Sequence, residues 1–114
     1  MQLQEIIDTL HLKVLTESKD FSEIKVGSGY TSDLLSCVMT GAGSQCLWVT
    51  LIAHNNIVAV AALLDVAAVI ITEHALPDET TIAKANEEGI TLLSTPHTTF
   101  QIVGQLWEMG LRGI

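Results

Sequence analysis

Residues Cys46–His74 read CLWVTLIAHNNIVAVAALLDVAAVIITEH, an apolar stretch with His54, Asn55 and Asn56 in its middle. Whether it is one membrane span or several short buried elements decides the fold. A span needs about 20 predominantly apolar residues in a row. The runs here, Ile57–Leu64 and Val66–Thr72, are shorter, and Asp65 separates them. CLWVTLI has the composition of a strand. Asn55 or Asn56 is placed to cap a helix whose Ile57, Val60, Ala61 and Leu64 face inward. VAAVIIT is continuously apolar and rich in β-branched residues, as in a strand buried on both faces. The stretch therefore predicts a strand–helix–strand unit in the core of a soluble fold. Asp65, at the helix–strand junction, is expected to accept from local backbone N–H groups rather than to do chemistry.

The same alternation continues on both sides. Pro77, Asp78 and Glu79 open a helix with acids at its positive end, and Gly89 closes it. ITLLST, Ile90–Thr95, is a third apolar strand. In the last helix, PHTTFQIVGQLWEMG, residues Phe100, Val103, Trp107 and Leu111 fall on one side. Toward the N-terminus, Leu3, Ile6, Ile7 and Leu10 mark an amphipathic helix, and LKVLTE is a short strand. Ile24–Val26 reads as another strand leading into a Gly-Ser-Gly turn. Ser32 or Asp33 would cap the helix that carries Leu34, Leu35, Val38 and Met39. Strand and helix in alternation imply a single α/β domain over residues 1–114: a mostly parallel sheet with helices packed on its faces in three layers.

Composition narrows the partners. A hydrophobic share of 48% with 16% charged residues is not that of a disordered chain. Five cations against thirteen acids give a formal charge of −8. The cations, Lys13, Lys19, Lys25, Lys84 and Arg112, are scattered, so neither nucleic acid nor an anionic membrane surface is an expected partner. Cys37 and Cys46 form no zinc spacing; a disulfide between them is open but not implied. The opening MQLQEIIDTL lacks the basic and long apolar regions of a signal peptide, so the expectation is a cytoplasmic protein with reduced cysteines. The apolar content, with Trp107 and Met109 on different helix faces, predicts a homodimer.

In an open parallel sheet, ligands bind beyond the carboxyl ends of the strands. Three predicted strand ends carry similar side chains: His54, Asn55 and Asn56; Glu73 and His74; Thr95, His97 and Thr98, with Pro96 among them. The turn Gly27, Ser28, Gly29, Tyr30 and Thr31 is a fourth segment of the same candidate site. Helix N-termini after His54 and His97 would aim N–H groups at this rim. Asn55, Asn56, Thr95 and Thr98 are equally suited to helix capping. The glycine turn can equally serve a tight bend. The histidine spacing matches no metal motif. Ser28 is in neither a G-x-S-x-G nor a G-K-[ST] setting. No nucleophile, general base, metal or cofactor site has a recognisable motif, so an enzyme is not expected.

From about Val26 to about Glu108 the chain resembles the DRTGG domain. The resemblance rests on SDLLS at Ser32–Ser36, on VAAVIIT followed by PDE, and on EEGITLLSTPHTTF at Glu87–Phe100. Such domains are similar to the N-terminal domain of HPr kinase/phosphorylase. They also occur in long phosphotransacetylases and between the CBS domains of regulated pyrophosphatases. The resemblance implies a non-catalytic regulatory or dimerisation module, able to sense a nucleotide or metabolite. Free-standing versions near hydrogenase and redox genes suggest the alternative of an adaptor that docks a partner enzyme without any small ligand. The chain departs from the pattern in two places. The Asp-Arg expected after LWVTL is replaced in Ile52-Ala53-His54-Asn55, and the expected glycine pair is Glu73-His74. Both changes disfavour an anionic ligand and leave a neutral or cationic one, or none.

Overall fold

The computed structural model describes residues 1–114. In chain order the elements are α1 (Leu3–Leu10), β1 (Lys13–Val14), a 3₁₀ turn (Phe21–Glu23), β2 (Ser28–Thr31) and α2 (Leu35–Gly41). Then follow β3 (Cys46–Thr50), α3 (Asn56–Leu64), β4 (Ala68–Ile71), α4 (Glu79–Glu88), β5 (Leu92–Ser94) and α5 (Thr99–Glu108). The strands form one sheet in the order β1-β5-β4-β3-β2; all pairings are parallel except β1 with β5. The expected mostly parallel α/β architecture is present.

Strand alternation divides the core in two. On β3 and β4, Leu47, Val49, Ala68 and Ile70 pack with Leu3, Ile6 and Ile7 of α1 and with Ile102 and Leu106 of α5. Their neighbours Cys46, Trp48, Val69 and Ile71 pack on the other face against Val38, Ile57, Ala61 and Ala85. Side chains on a strand point to opposite faces in turn. Because both faces are covered, all five residues of β3 and all four of β4 are buried. That is why AVII is apolar throughout and CLWVT is apolar up to its last residue, Thr50, whose hydroxyl finds a partner at the strand end. No helix is long and apolar enough to cross a membrane.

Several local expectations change. Ile24–Val26 does not enter the sheet: Leu3 N donates to Ile24 O and Val26 N to Met1 O, so this segment ties down the N-terminus. The Gly-Ser-Gly segment is no turn but belongs to strand β2, paired with β3 from Ser28 opposite Cys46. Helix α2 begins at Leu35, and Asp33 caps nothing on it. Only Val38 of α2 is buried; Leu34 and Met39 are 60% and 48% exposed. On α5 the buried residues are Ile102 and Leu106, while Phe100 is 91% and Trp107 58% exposed. The side expected from the periodicity is divided: Leu111 is buried and Val103 packs partly buried against the core, whereas Phe100 and Trp107 face outward. Asp65 adopts a left-handed conformation (φ 55°) that ends α3, and its carboxylate accepts from Ser44 Oγ at 3.3 Å rather than from local N–H groups.

Both cysteines are free, Cys37 exposed and Cys46 buried. Burial pushes the Cys46 thiol up from its ordinary value. A thiol-reactive dye at pH 8 should therefore modify one cysteine per native chain and both in guanidinium. Fast modification of both without denaturant would contradict the buried placement of Cys46.

Candidate functional site

Four parallel strands end on one rim, at Thr31, Thr50, Ile71 and Ser94. The N-termini of α3, α4 and α5 follow there, and hydroxyls and carboxylates hold the rim together. The Asp33 carboxylate accepts from Thr50 Oγ1 at 2.8 Å and from Leu51 N at 2.9 Å, fixing the end of β3. The Thr50 hydroxyl accepts in turn from Ile52 N. Thr72, fully buried, bonds Thr99 Oγ1 at 2.6 Å and so joins the end of β4 to the start of α5. Thr31 Oγ1 donates to Val49 O at 2.8 Å.

The expected rim residues divide into two groups. His54, Asn55 and Asn56 are exposed at the start of α3. The cap there is His54, whose Nδ1 accepts from Asn56 N at 3.2 Å; Asn55 makes no side-chain cap bond. Glu73 N donates to His97 O, and His97 N donates to Thr95 Oγ1. Thr98 caps α5 by accepting from Gln101 N. Glu73, His74, Thr95, His97 and Thr98 thus form one cluster where β4 and β5 end, with His54, Asn55 and Asn56 at the end of β3.

The glycine segment behaves otherwise. Since β2 is a strand, Gly27 and Ser28 lie at its N-terminal end, opposite the rim, and only Thr31 reaches the rim. Tyr30 turns toward α2: its hydroxyl donates to Cys37 O, and a Cβ on Gly41 would come within 2.5 Å of it. Gly29 N donates to Arg112 O, and a Cβ on Gly29 would meet Leu111 at 3.0 Å. These glycines admit a neighbouring ring and the C-terminal segment; they cradle no phosphate.

Glu73 and His74 have φ of 63° and 62°. Two successive left-handed residues suit glycine, and a side chain there carries a cost. The Glu73 carboxylate accepts from Thr99 N at 2.8 Å, so it fills the positive N-terminus of α5. At α4, Asp78 accepts from Thr81 N at 2.8 Å. The backbone and then the side-chain hydrogen bonds of Thr81 hold the Asp78 carboxyl below its ordinary value. A depressed folded-state value means that this cap contributes above the unfolded value, about 3.9, and that its contribution is lost as pH falls through the folded one. The N-termini of α3, α4 and α5 are each already capped by a side chain of the protein itself, while that of α2, which follows β2 on the same rim, has no side-chain cap. Asp33, Glu73, Asp78 and Glu79 outnumber Lys13, which stands opposite Ser94 at the sheet edge. His74 is exposed in the same strained turn. His74→Gly should raise stability by about 0.5 kcal/mol, or about 2 °C in melting temperature, and a fall in that temperature would contradict the conformational assignment.

Of four hollows, three are more than minor. One, of about 160 Å³, lies between Gly29, Thr31, Val49, Leu106 and Leu111. A second, open groove of about 640 Å³ joins Thr31 to Thr99, Phe100, Val103 and Trp107. A third, polar and about 290 Å³, lies among Lys19, Lys25, Asp65 and Gly89. Thr31 is the only one of the expected rim residues from Tyr30 onward, apart from Tyr30 itself, to line any of them. No three His, Cys, Asp or Glu side chains gather where they could hold a metal ion. The sequence reading missed Asp33, Thr50, Thr72 and Thr99 as parts of the rim. The signal available was a threonine at or just past the end of an otherwise apolar strand, at Thr50 and Thr72, where a hydroxyl must find a partner.

Among curated proteins, none matches the chain in sequence. The regulatory region of Clostridium perfringens pyrophosphatase, solved with its CBS and DRTGG domains in complex with the activator diadenosine tetraphosphate, has a similar fold. The TM-score is 0.72 at 20% identity, over 90% of this chain and 44% of that one. The chain thus spans less than half the length of that region. Residues 5–109 match the DRTGG domain family, which adds α1 to the stretch recognisable from Val26 onward. The chain belongs to the DRTGG domain family.

Proposed function

We propose that the chain is a non-catalytic, cytoplasmic regulatory module that binds a small ligand on the strand-end rim and acts through self-association. Family membership supports the regulatory role, and the similar pyrophosphatase region is itself regulatory and was solved with a nucleotide activator. The observation in this chain that carries the reading is how the rim is wired. Its hydroxyls bond to carboxylates, backbone and one another: Thr50 to Asp33, Thr72 to Thr99, and Thr95 to the His97 backbone. None is joined to a histidine base, the pairing that activates a hydroxyl nucleophile. Such a rim can exchange its own hydrogen bonds for those of a ligand and shift the loops after β3, β4 and β5. Among nucleotides and metabolites, the Glu73 carboxylate on α5 and the acidic surroundings favour neutral or cationic molecules over polyphosphates. A thermal-shift screen tests this, since a ligand that binds the native state raises the melting temperature. A rise with a neutral or cationic metabolite supports the proposal; a rise confined to polyphosphates counts against its charge argument.

A second reading, an adaptor that docks a partner enzyme without any small ligand, is favoured by one observation: the exposed aromatic residues Phe100 and Trp107 on α5. Retention of one enzyme from native lysate, with no ligand raising the melting temperature, would choose it.

A further inference from the structure

The hollow of about 160 Å³ between β2 and α5 combines an apolar wall with one charge. Its wall is built by Val49 of β3, by Val103 and Leu106 of α5, and by Leu111. Its volume is close to the roughly 150 Å³ of an apolar protein cavity that stays dry and takes up benzene. Thr31, Val103 and Trp107 line both this hollow and the open groove of about 640 Å³, so a small molecule reaches it from the surface.

The charge is Arg112, which lines the hollow and lies 3.8 Å over the Trp107 ring. It is the sole arginine of a chain with thirteen acidic residues, yet its hydrogen bonds go to none of them. Both leave from Nη1, to Trp107 O at 2.8 Å and to Leu111 O at 3.0 Å. Closing the C-terminus of α5 is by itself a sufficient task for a cation. The same bonds, with the stacking on Trp107, also fix the guanidinium in place. They leave Nε and Nη2 without a partner in the chain, and that edge carries the two parallel N–H groups that a carboxylate accepts bidentately. No acidic residue lines the hollow; Glu108 lines the outer groove alone.

We infer that this hollow binds a small monocarboxylate with an apolar body about the size of one benzene ring. The body lies among Val49, Leu106 and Leu111, and the carboxylate pairs with the Nε–Nη2 edge of Arg112. The site meets the strand-end rim only at Thr31. It is independent of the ligand proposed for the rim, where carboxylates prevail; here the one charge is positive.

Benzoate, benzamide and benzylamine share a ring and differ in charge, and their titration into the isotope-labelled full chain, followed by amide chemical shifts, tests this. Benzoate should saturate with a Kd of about 1 mM or tighter and move the amides of Gly29, Thr31, Arg112 and Gly113. Benzamide should bind at least about tenfold more weakly, and benzylamine more weakly still. Arg112→Gln should bring benzoate down to the affinity of benzamide and leave benzamide itself within about twofold, which the loss of a helix closure alone would not do. Val103→Trp, which fills the hollow from α5, should abolish binding of both in a chain whose spectrum stays folded; should that variant unfold, Arg112→Gln decides. Shifts that map to another surface, or that fail to saturate by about 20 mM, overturn the site. Equal binding of the three probes overturns it as well. A preference for benzoate that survives in Arg112→Gln, or the loss of both probes there, leaves Arg112 as a helix closure and overturns its role toward a carboxylate.

Discussion

Replacing Trp48 by alanine should lower the unfolding free energy by about 4 kcal/mol and the melting temperature by roughly 15 °C. Trp48 is the largest fully buried side chain. It stands in the middle of the central strands and packs into the cluster that holds α3 and α4 on the sheet. Truncation removes its transfer free energy and leaves a cavity that a five-strand sheet closes only in part. The indole also has a polar task. Nε1 donates to Ser32 O at 3.1 Å, just before Asp33 begins to hold the rim. Trp48→Phe keeps most of the packing and loses that bond, so it should cost far less, about 1.5 kcal/mol. Denaturant unfolding of the two variants separates packing from hydrogen bonding. Equal losses in both would show that the cavity term is wrong.

Asp33→Ala should cost about 2 kcal/mol, although Asp33 is exposed. Its carboxylate is the acceptor for both the buried Thr50 hydroxyl and Leu51 N, and bonds to a charged group are stronger than neutral ones. Solvent competes for the carboxylate, which keeps the effect below that of a buried network. Thr50→Val alone should cost about 1 kcal/mol by leaving Asp33 without one donor. The double variant should then cost clearly less than the sum, because the shared bond is lost only once. Strict additivity would show that the two residues are not coupled and that the rim is less tightly wired than its distances indicate.

The parts of the fold that could be read in advance were those where one physical requirement dominated. β3 and β4 are buried on both faces, so they had to be apolar wherever no partner awaits a polar group, and AVII and the CLWV of β3 show it. Asp78 caps α4, and Gly89 closes it with φ 72°, because those positions demand these residue types. Legibility failed where two demands coincided. α5 buries Ile102 and Leu106 yet keeps Phe100 and Trp107 apolar as well, so periodicity alone put these two with Val103 and Leu111, which do meet the core. Gly27–Gly29 suggested a turn, but Gly29 lies within β2, where Leu111 and the C-terminal segment press against it. The rim was legible in position at the ends of β3, β4 and β5 but not at β2, whose Gly27 and Ser28 lie at the opposite end, and it was illegible in detail. Which strand ends meet follows from parallel order, whereas the Asp33–Thr50 and Thr72–Thr99 bonds join residues 17 and 27 apart in sequence, and no local pattern announces them. Glu73 is instructive in both respects. The family resemblance placed it where a glycine pair is expected, and its left-handed φ and that of His74 keep the glycine geometry while the carboxylate takes the helix N-terminus.

The most direct test of the ligand-sensing rim is a calorimetric titration of the best ligand from the thermal-shift screen into wild type, His54→Ala and His97→Ala. Both histidines are exposed at strand ends; His97→Ala should change stability by no more than about 0.5 kcal/mol, whereas His54→Ala, which removes the cap of α3, should cost about 1 kcal/mol and leave the chain folded. If the ligand occupies the rim, each variant should weaken its affinity about tenfold, the value of one lost hydrogen bond of about 1.4 kcal/mol. Unchanged affinity in both folded variants, with the ligand located on another surface by crystallography, would contradict the account.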